Sequence, residues 1–237
     1  DQRFMSDASR ATHATGAFYG LLALPLSFVA LPMYVNLPHA YATHYAVPLT
    51  TLGLVLLISR LLDAFIDPWM GRISDVLYAK SNQAVGLAAI VLAALLLLSF
   101  VALFFPPLFV STSGYVAWVA VFVSLCHFTY SGLSILHQAW ATRLGGGALQ
   151  QGRLIAWREA AGLVGVVLAS LLPALAGWQV TSILLGASLL VALWSWSRVF
   201  QAQATVLTGK DASPTANAMA LPVHQSLFLK LLAVFML

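Results

Sequence analysis

Six segments of the sequence, residues 16–37, 48–67, 84–105, 115–142, 154–174 and 181–200, stay apolar over the roughly 20 residues that a helix needs to cross a bilayer. Soluble proteins carry about a quarter charged residues. Here 8% of 237 residues are charged and 61% are hydrophobic. No soluble fold of this length hides so much apolar surface, so the expected class is an all-α polytopic membrane protein. A β-barrel needs alternating segments of roughly ten residues, whereas these runs are continuous. The first run is too long, and too deep in the chain, for a cleaved leader. The one cysteine, Cys126, leaves no disulfide framework or zinc cluster.

Pro, Gly and polar clusters separate the runs: "PHAYATH", "PPLFVSTSG", "RLGGGALQQGR" and "AGWQ". A seventh run starts at Ser226 and reaches Leu237. Its helix would cover about 18 Å of a hydrocarbon core about 30 Å thick. The expected organisation is a cytoplasmic N-terminal tail (1–15), a six-helix bundle (16–200), a cytoplasmic linker (201–225) and the truncated start of a seventh helix (226–237). A C-terminal six-helix bundle is then missing from this chain.

The net charge of +4 reads as topology rather than as a nucleic-acid footprint. Of the eleven Lys and Arg, Arg3 and Arg10 precede span one, Arg72 and Lys80 lie between spans two and three, and Arg143 and Arg153 between four and five. Arg198, Lys210 and Lys230 follow span six, and the other loops have none. By the positive-inside rule the N-terminus and every second loop are cytoplasmic. Membrane lipid is the surrounding partner, and the expected location is a bacterial inner (plasma) membrane.

Arg60 and Arg158 remain, inside spans two and five, with Asp63, Asp67 and Glu159 for company. A charge near a helix centre costs roughly 2.5–3.5 kcal/mol on insertion scales, so intramembrane ionisable groups are functional by default. Arg60 can pair with Asp63 one turn on. Asp67 has no local positive partner, and two carboxylates at i, i+4 repel in low dielectric until a proton or cation joins them. Pro68 frees the carbonyl of Ala64. Clustered carboxylate and carbonyl oxygens suit a hard monovalent cation, Na⁺, Li⁺ or H⁺. The bland alternative is a packing salt bridge with Asp67 at the cytoplasmic interface.

The polar stripes fall on spans one (Tyr19, Ser27, Tyr34), two, four (His127, Ser131, Ser134, His137, Gln138) and five (Arg158, Glu159). Spans three and six are apolar. This 1-2-4-5 pattern fits a bundle of two inverted three-helix repeats. His137 is as suited to helix packing as to substrate. Gln138 and Trp140 offer an amide and an indole to sugar hydroxyls and a ring face, although Trp140 also fits an interfacial belt. Arg158 and Glu159 point about 100° apart, so they are not expected to share a cavity equally. Arg158 is expected to face the interior and pair with Asp63 or Asp67.

"RLLDAFIDPWMGRISD", residues 60–75, resembles the helix-two signature of the glycoside–pentoside–hexuronide:cation symporters, the melibiose permease family of the major facilitator superfamily. Arg60, Asp63, Asp67, Pro68, Gly71 and Asp75 carry the match. Gly71 and Asp75 also resemble the start of the superfamily's cytoplasmic loop motif, with Val76 in place of a basic residue. Weaker likeness extends to "GAFYGLLALPLSFVALPMYV" and "RLIAWREAAGLVG". The resemblance implies alternating access between two six-helix bundles and cation-coupled uptake of a sugar. It implies Asp63 and Asp67 as cation ligands and Arg158 as a cavity residue. The acids that the family places in helices one and four for sugar hydroxyls are absent here.

The expected function is therefore cation-coupled transport of a small solute, a sugar or glycoside, with no enzyme activity and no cofactor beyond the coupling ion. Asp63 and Asp67 bind that ion; Tyr34, His137, Gln138, Trp140 and Arg158 line the substrate cavity; Arg60 and Glu159 complete the charge network. Three rivals remain. One is a lipid or amphiphile transporter on the same fold. Another is an intramembrane enzyme built on Ser131 and His127. The last is a seven-helix photoreceptor, which Lys230 at the start of its run argues against.

Overall fold

The computed structural model describes residues 15–108, 111–144 and 148–208. Those residues are helical apart from short connections, with no strand among them. The bundle belongs to the compact unit Asp1–Gln203; of the second unit, Ala204–Leu237, residues 204–208 alone are described, and they are helical. Most of the expected tail (1–15), most of the linker (201–225) and the start of a seventh helix (226–237) lie outside the described residues.

Among the described residues, five helices are long and apolar enough to cross a membrane. We number them α1 (Thr15–His44), α2 (Leu49–Lys80), α3 (Asn82–Phe104) and α4 (Thr112–Arg143). The fifth, Ala148–Thr208, has 61 residues and one non-helical residue, Gly177, at φ 76°, ψ 171°. Unbroken, it would run for roughly 90 Å, about three times the hydrocarbon core. Only glycine occupies that backbone region readily. Leu168 and Leu172 before the break line one groove with Leu184 and Ala187 after it. The two arms therefore lie side by side, and we treat them as α5 (148–176) and α6 (178–208). The sequence reading expected two spans here, separated by "AGWQ".

Local sequence sets the helix ends. Ser81 is the single residue between α2 and α3, and its hydroxyl accepts from the Ala84 N–H at 3.1 Å. The expected end of span two at residue 67 is thus too early. Asp67 is followed by Pro68 and charged residues, which end an apolar run but not a helix. At about 1.5 Å per residue, 32 residues reach about 48 Å, well past the bilayer core. Gly71, Arg72, Asp75 and Lys80 consequently sit on helix, not in a loop. In α1 Pro32 has no N–H to give, and Pro32–Asn36 forms a π turn closed by the Leu37 N–H on the Pro32 carbonyl.

Two seams organise the bundle. Where α1 crosses α5, a Cβ on Gly20 would sit 2.7 Å from the Trp157 carbonyl oxygen, and one on Gly165 would strike the Leu24 carbonyl. Backbones approach this closely only over small residues. The α2–α4 seam runs parallel. Ser59 meets Ser124 at 3.1 Å, Asp67 meets Ser131, and the Tyr78 phenol donates to the Leu136 carbonyl at 2.7 Å. At its end Asp75 pairs with Arg143 at 3.5 Å. Outward faces keep large apolar groups exposed, including Phe65 and Trp69.

Candidate functional site: a charged helix seam beside a polar cavity

Arg60 and Asp63 are one turn apart on α2, and the guanidinium reaches Asp63 Oδ2 at 3.3 Å, as their spacing suggests. Asp63 is 7% exposed and Arg60 61%. The pair is therefore a buried carboxylate tied to an accessible cation. Asp67, half-buried one turn further, accepts a hydrogen bond from the Ser131 hydroxyl of α4. Asp63 Oδ1 is buried with no hydrogen-bond partner. Asp67 thus meets α4 directly, and Asp63 lies one turn away on the same face of α2.

Tyr34 stands on the π turn of α1, half-exposed, with its Oη 2.8 Å from His127 Nε2. Arg60 and Asp63 act on it electrostatically, so it belongs with the charged seam. The extra residue of a π turn re-aims the side chains around it, and such turns often occur at functional sites. His127 is buried, with Nδ1 unpartnered. Ser131 and His127 are bonded to Asp67 and Tyr34 respectively, not to each other. A nucleophile–base pair is therefore not assembled there.

Beside the seam, between α1, α4 and α5, lies a cavity of about 240 Å³. Ser27, Tyr130, Ser134, Gln138, Arg158 and Glu159 contribute its polar wall. Gln138 donates to Ser134 Oγ at 3.0 Å. Arg158 bonds Glu159 Oε1 through NH2 at 2.7 Å and Nε at 3.2 Å. The expectation that Arg158 pairs with Asp63 or Asp67 is corrected: its partner is Glu159. The long guanidinium arm folds back over its neighbour, so adjacent residues share one cavity despite their angular offset. Tyr130 joins the regions, since it lines the cavity and feels Arg60, Asp63 and Arg158.

The other expected cavity residues divide. Gln138 and Arg158 line the cavity, and Tyr34 stands with the charged seam instead. His137 touches the cavity but is 1% exposed and clasps α1. Its Nε2–H donates to the Tyr19 carbonyl at 2.8 Å, the Tyr19 phenol returns a bond to the His137 carbonyl at 3.2 Å, and the rings stack at 4.3 Å. Trp140 is buried against Tyr78, rings 5.9 Å apart and nearly parallel, away from the cavity. Gly71 and Asp75 lie beyond the charged seam on α2. Ser131 was visible in sequence as part of a polar stripe, but nothing local tied it to Asp67. Ser134 carried the same weak signal, and Tyr130 stood outside that stripe.

The family profile described as "MFS/sugar transport protein" matches residues 16–237. No curated protein and no solved structure matches the chain.

Proposed function

Because the chain belongs to the MFS/sugar transport protein family, and so to the secondary transporters of the membrane, we propose that it couples a cation (Na⁺, Li⁺ or H⁺) to the movement of a sugar or glycoside by alternating access. The observation that carries this reading is the position of Asp63 and Asp67. Both are on the α2–α4 seam, one buried with a free oxygen and one bonded to Ser131. A polar cavity large enough for a small solute lies alongside. Carboxylates placed there at several kcal/mol of insertion cost are expected to hold an ion. Arg60 offsets one negative charge, and one bound monovalent cation offsets the other.

In the cavity, Gln138 and Ser134 offer donors and acceptors to hydroxyl groups, and Arg158 offers a fixed donor fork. The proposed orientation puts the N-terminus in the cytoplasm of a bacterial inner membrane. Arg143 and Asp75, which meet at the end of α2 and α4, then lie on the positive inner side. The test is uptake of labelled mono- and disaccharides by cells expressing the full-length protein, with and without an imposed ion gradient. Asp63→Cys and Asp67→Cys should abolish the cation stimulation. Undiminished stimulation in both would remove the two aspartates from the mechanism.

One observation favours a second reading. Glu159 is the only carboxylate among the residues lining the cavity, and Arg158 occupies it. A cavity without a free acid to bind sugar hydroxyls also accommodates a lipid or amphiphile with an anionic headgroup. Competition of labelled uptake by lysolipids, but not by glycosides, would favour that reading.

A further inference from the structure

The wall of the polar cavity carries an arginine and an acid on adjacent residues. Arg158 turns Nη2 and Nε toward a single oxygen of Glu159, Oε1, at 2.7 and 3.2 Å. Burial does not force this pairing, since Glu159 is 64% exposed and Arg158 30%. Adjacent helical residues point about 100° apart, so the contact exists because two long side chains fold toward each other over the cavity wall. The other polar lining residues are hydroxyls, the Gln138 amide and His137, whose Nε2 is spent on the Tyr19 carbonyl.

A free guanidinium would draw anions into such a cavity, because its planar fork matches the oxygens of a carboxylate or phosphate. Glu159 already fills the edge of the fork formed by Nε and Nη2. Its Oε2 accepts no hydrogen bond among the described residues, and the guanidinium has N–H groups left over. We propose that Glu159 is a specificity-determining residue, an internal counter-ion that occupies Arg158, so that the cavity takes neutral, hydroxyl-bearing solutes and turns away anionic ones. The inference rests on the reading of this cavity as the solute site and names the class of solute.

A neutral solute with adjacent hydroxyls donates from one to Oε2 and accepts at the other from the guanidinium, and the ion pair stays intact. An anionic solute has two courses. Displacing Glu159 gives up two charge-assisted hydrogen bonds, the stronger kind. Binding beside Glu159 sets two negative charges together where bulk water does not screen them. The neighbouring seam adds to the bias. Arg60, Asp63 and Asp67 sum to −1, and Tyr130, on the cavity wall, feels Arg60 and Asp63 as well as Arg158. The anionic headgroup of an amphiphile meets the same obstacle.

The test uses the full-length protein in membrane vesicles and solute pairs that differ only in a hydroxymethyl or carboxylate group: methyl glucoside with methyl glucuronide, and methyl galactoside with methyl galacturonide. Equilibrium binding of each labelled solute is measured. We expect the wild type to bind the glycoside of a pair at least about tenfold more tightly than the uronide, the ratio that one hydrogen bond to a charged group supplies. Glu159→Gln keeps the shape and removes the charge; it should narrow that ratio at least about tenfold, chiefly by gaining the uronide. Glu159→Asp keeps the charge and should keep the preference. An unchanged ratio in Glu159→Gln overturns the proposal and leaves the glycoside reading standing. So does a wild type that binds the uronide as tightly as the glycoside. If no glycoside or uronide binds to any of the proteins, the sugar reading fails and the inference with it. Saturable binding of lysophosphatidate in place of glycosides favours the amphiphile reading and overturns this one. Should Glu159→Gln not reach the membrane, Glu159→Ala makes the same comparison.

Discussion

Ser131 shows how one hydroxyl decides what a half-buried acid can do. Among the described residues, its bond to Asp67 is the one polar contact given to that carboxylate. Ser131→Ala removes the donor and leaves the half-buried carboxylate to water, at a cost of about 1 kcal/mol. We expect cation-stimulated uptake to fall roughly tenfold, with Ser131→Thr restoring it; dose–response curves for the driving ion check this, and equal curves for all three proteins would contradict it. Tyr78 is a structural counterpart. Its phenol donates to the Leu136 carbonyl, Trp140 stacks on it, and Arg143 lies over its face at 4.4 Å. Tyr78→Phe should cost about 1 kcal/mol, and Tyr78→Ala roughly 3–5 kcal/mol, read as unfolding free energy in detergent. The Arg60–Asp63 pair was legible in sequence because its partners are three residues apart. The Asp67–Ser131 pair was not, since 64 residues separate its members and only the seam register joins them. Trp140 was misplaced for the same reason: its neighbour Tyr78 is on another helix.

Among the elements, the glycines at two crossings carry the sharpest consequences. Gly177 holds φ 76°, ψ 171° where α5 turns back into α6, and a Cβ there meets open space. The cost of Gly177→Ala is thus backbone strain alone, about 1–3 kcal/mol. Gly165 has ordinary helical geometry, but its Cβ position is filled by the Leu24 carbonyl. Gly165→Leu must push α1 off α5 and should cost at least the 1–3 kcal/mol typical of overpacking. Thermal melts of both variants in one detergent check the pair; a neutral Gly165→Leu would mean that the crossing is looser than the structure shows. The apolar runs located the helices because bilayer thickness fixes their length. Helix ends were less legible. α2 continues for three turns after its last apolar stretch, and hydropathy cannot see a helix that leaves the hydrocarbon still folded.

For the whole molecule, the site residues come from α1, α2, α4 and α5, the helices whose polar stripes stood out in sequence. The helical membrane class and family membership were legible from composition and one motif. The partition of work between seam and cavity was not, because it depends on which face of each helix meets which neighbour. The central claim is that Asp63 and Asp67 convert an ion gradient into solute accumulation. It is tested most directly by comparing uphill accumulation with equilibrium exchange of one labelled sugar in vesicles, for the wild type and for Asp63→Asn. The account predicts that the variant still exchanges sugar at a comparable rate but accumulates none. A variant that concentrates sugar as well as the wild type would contradict it.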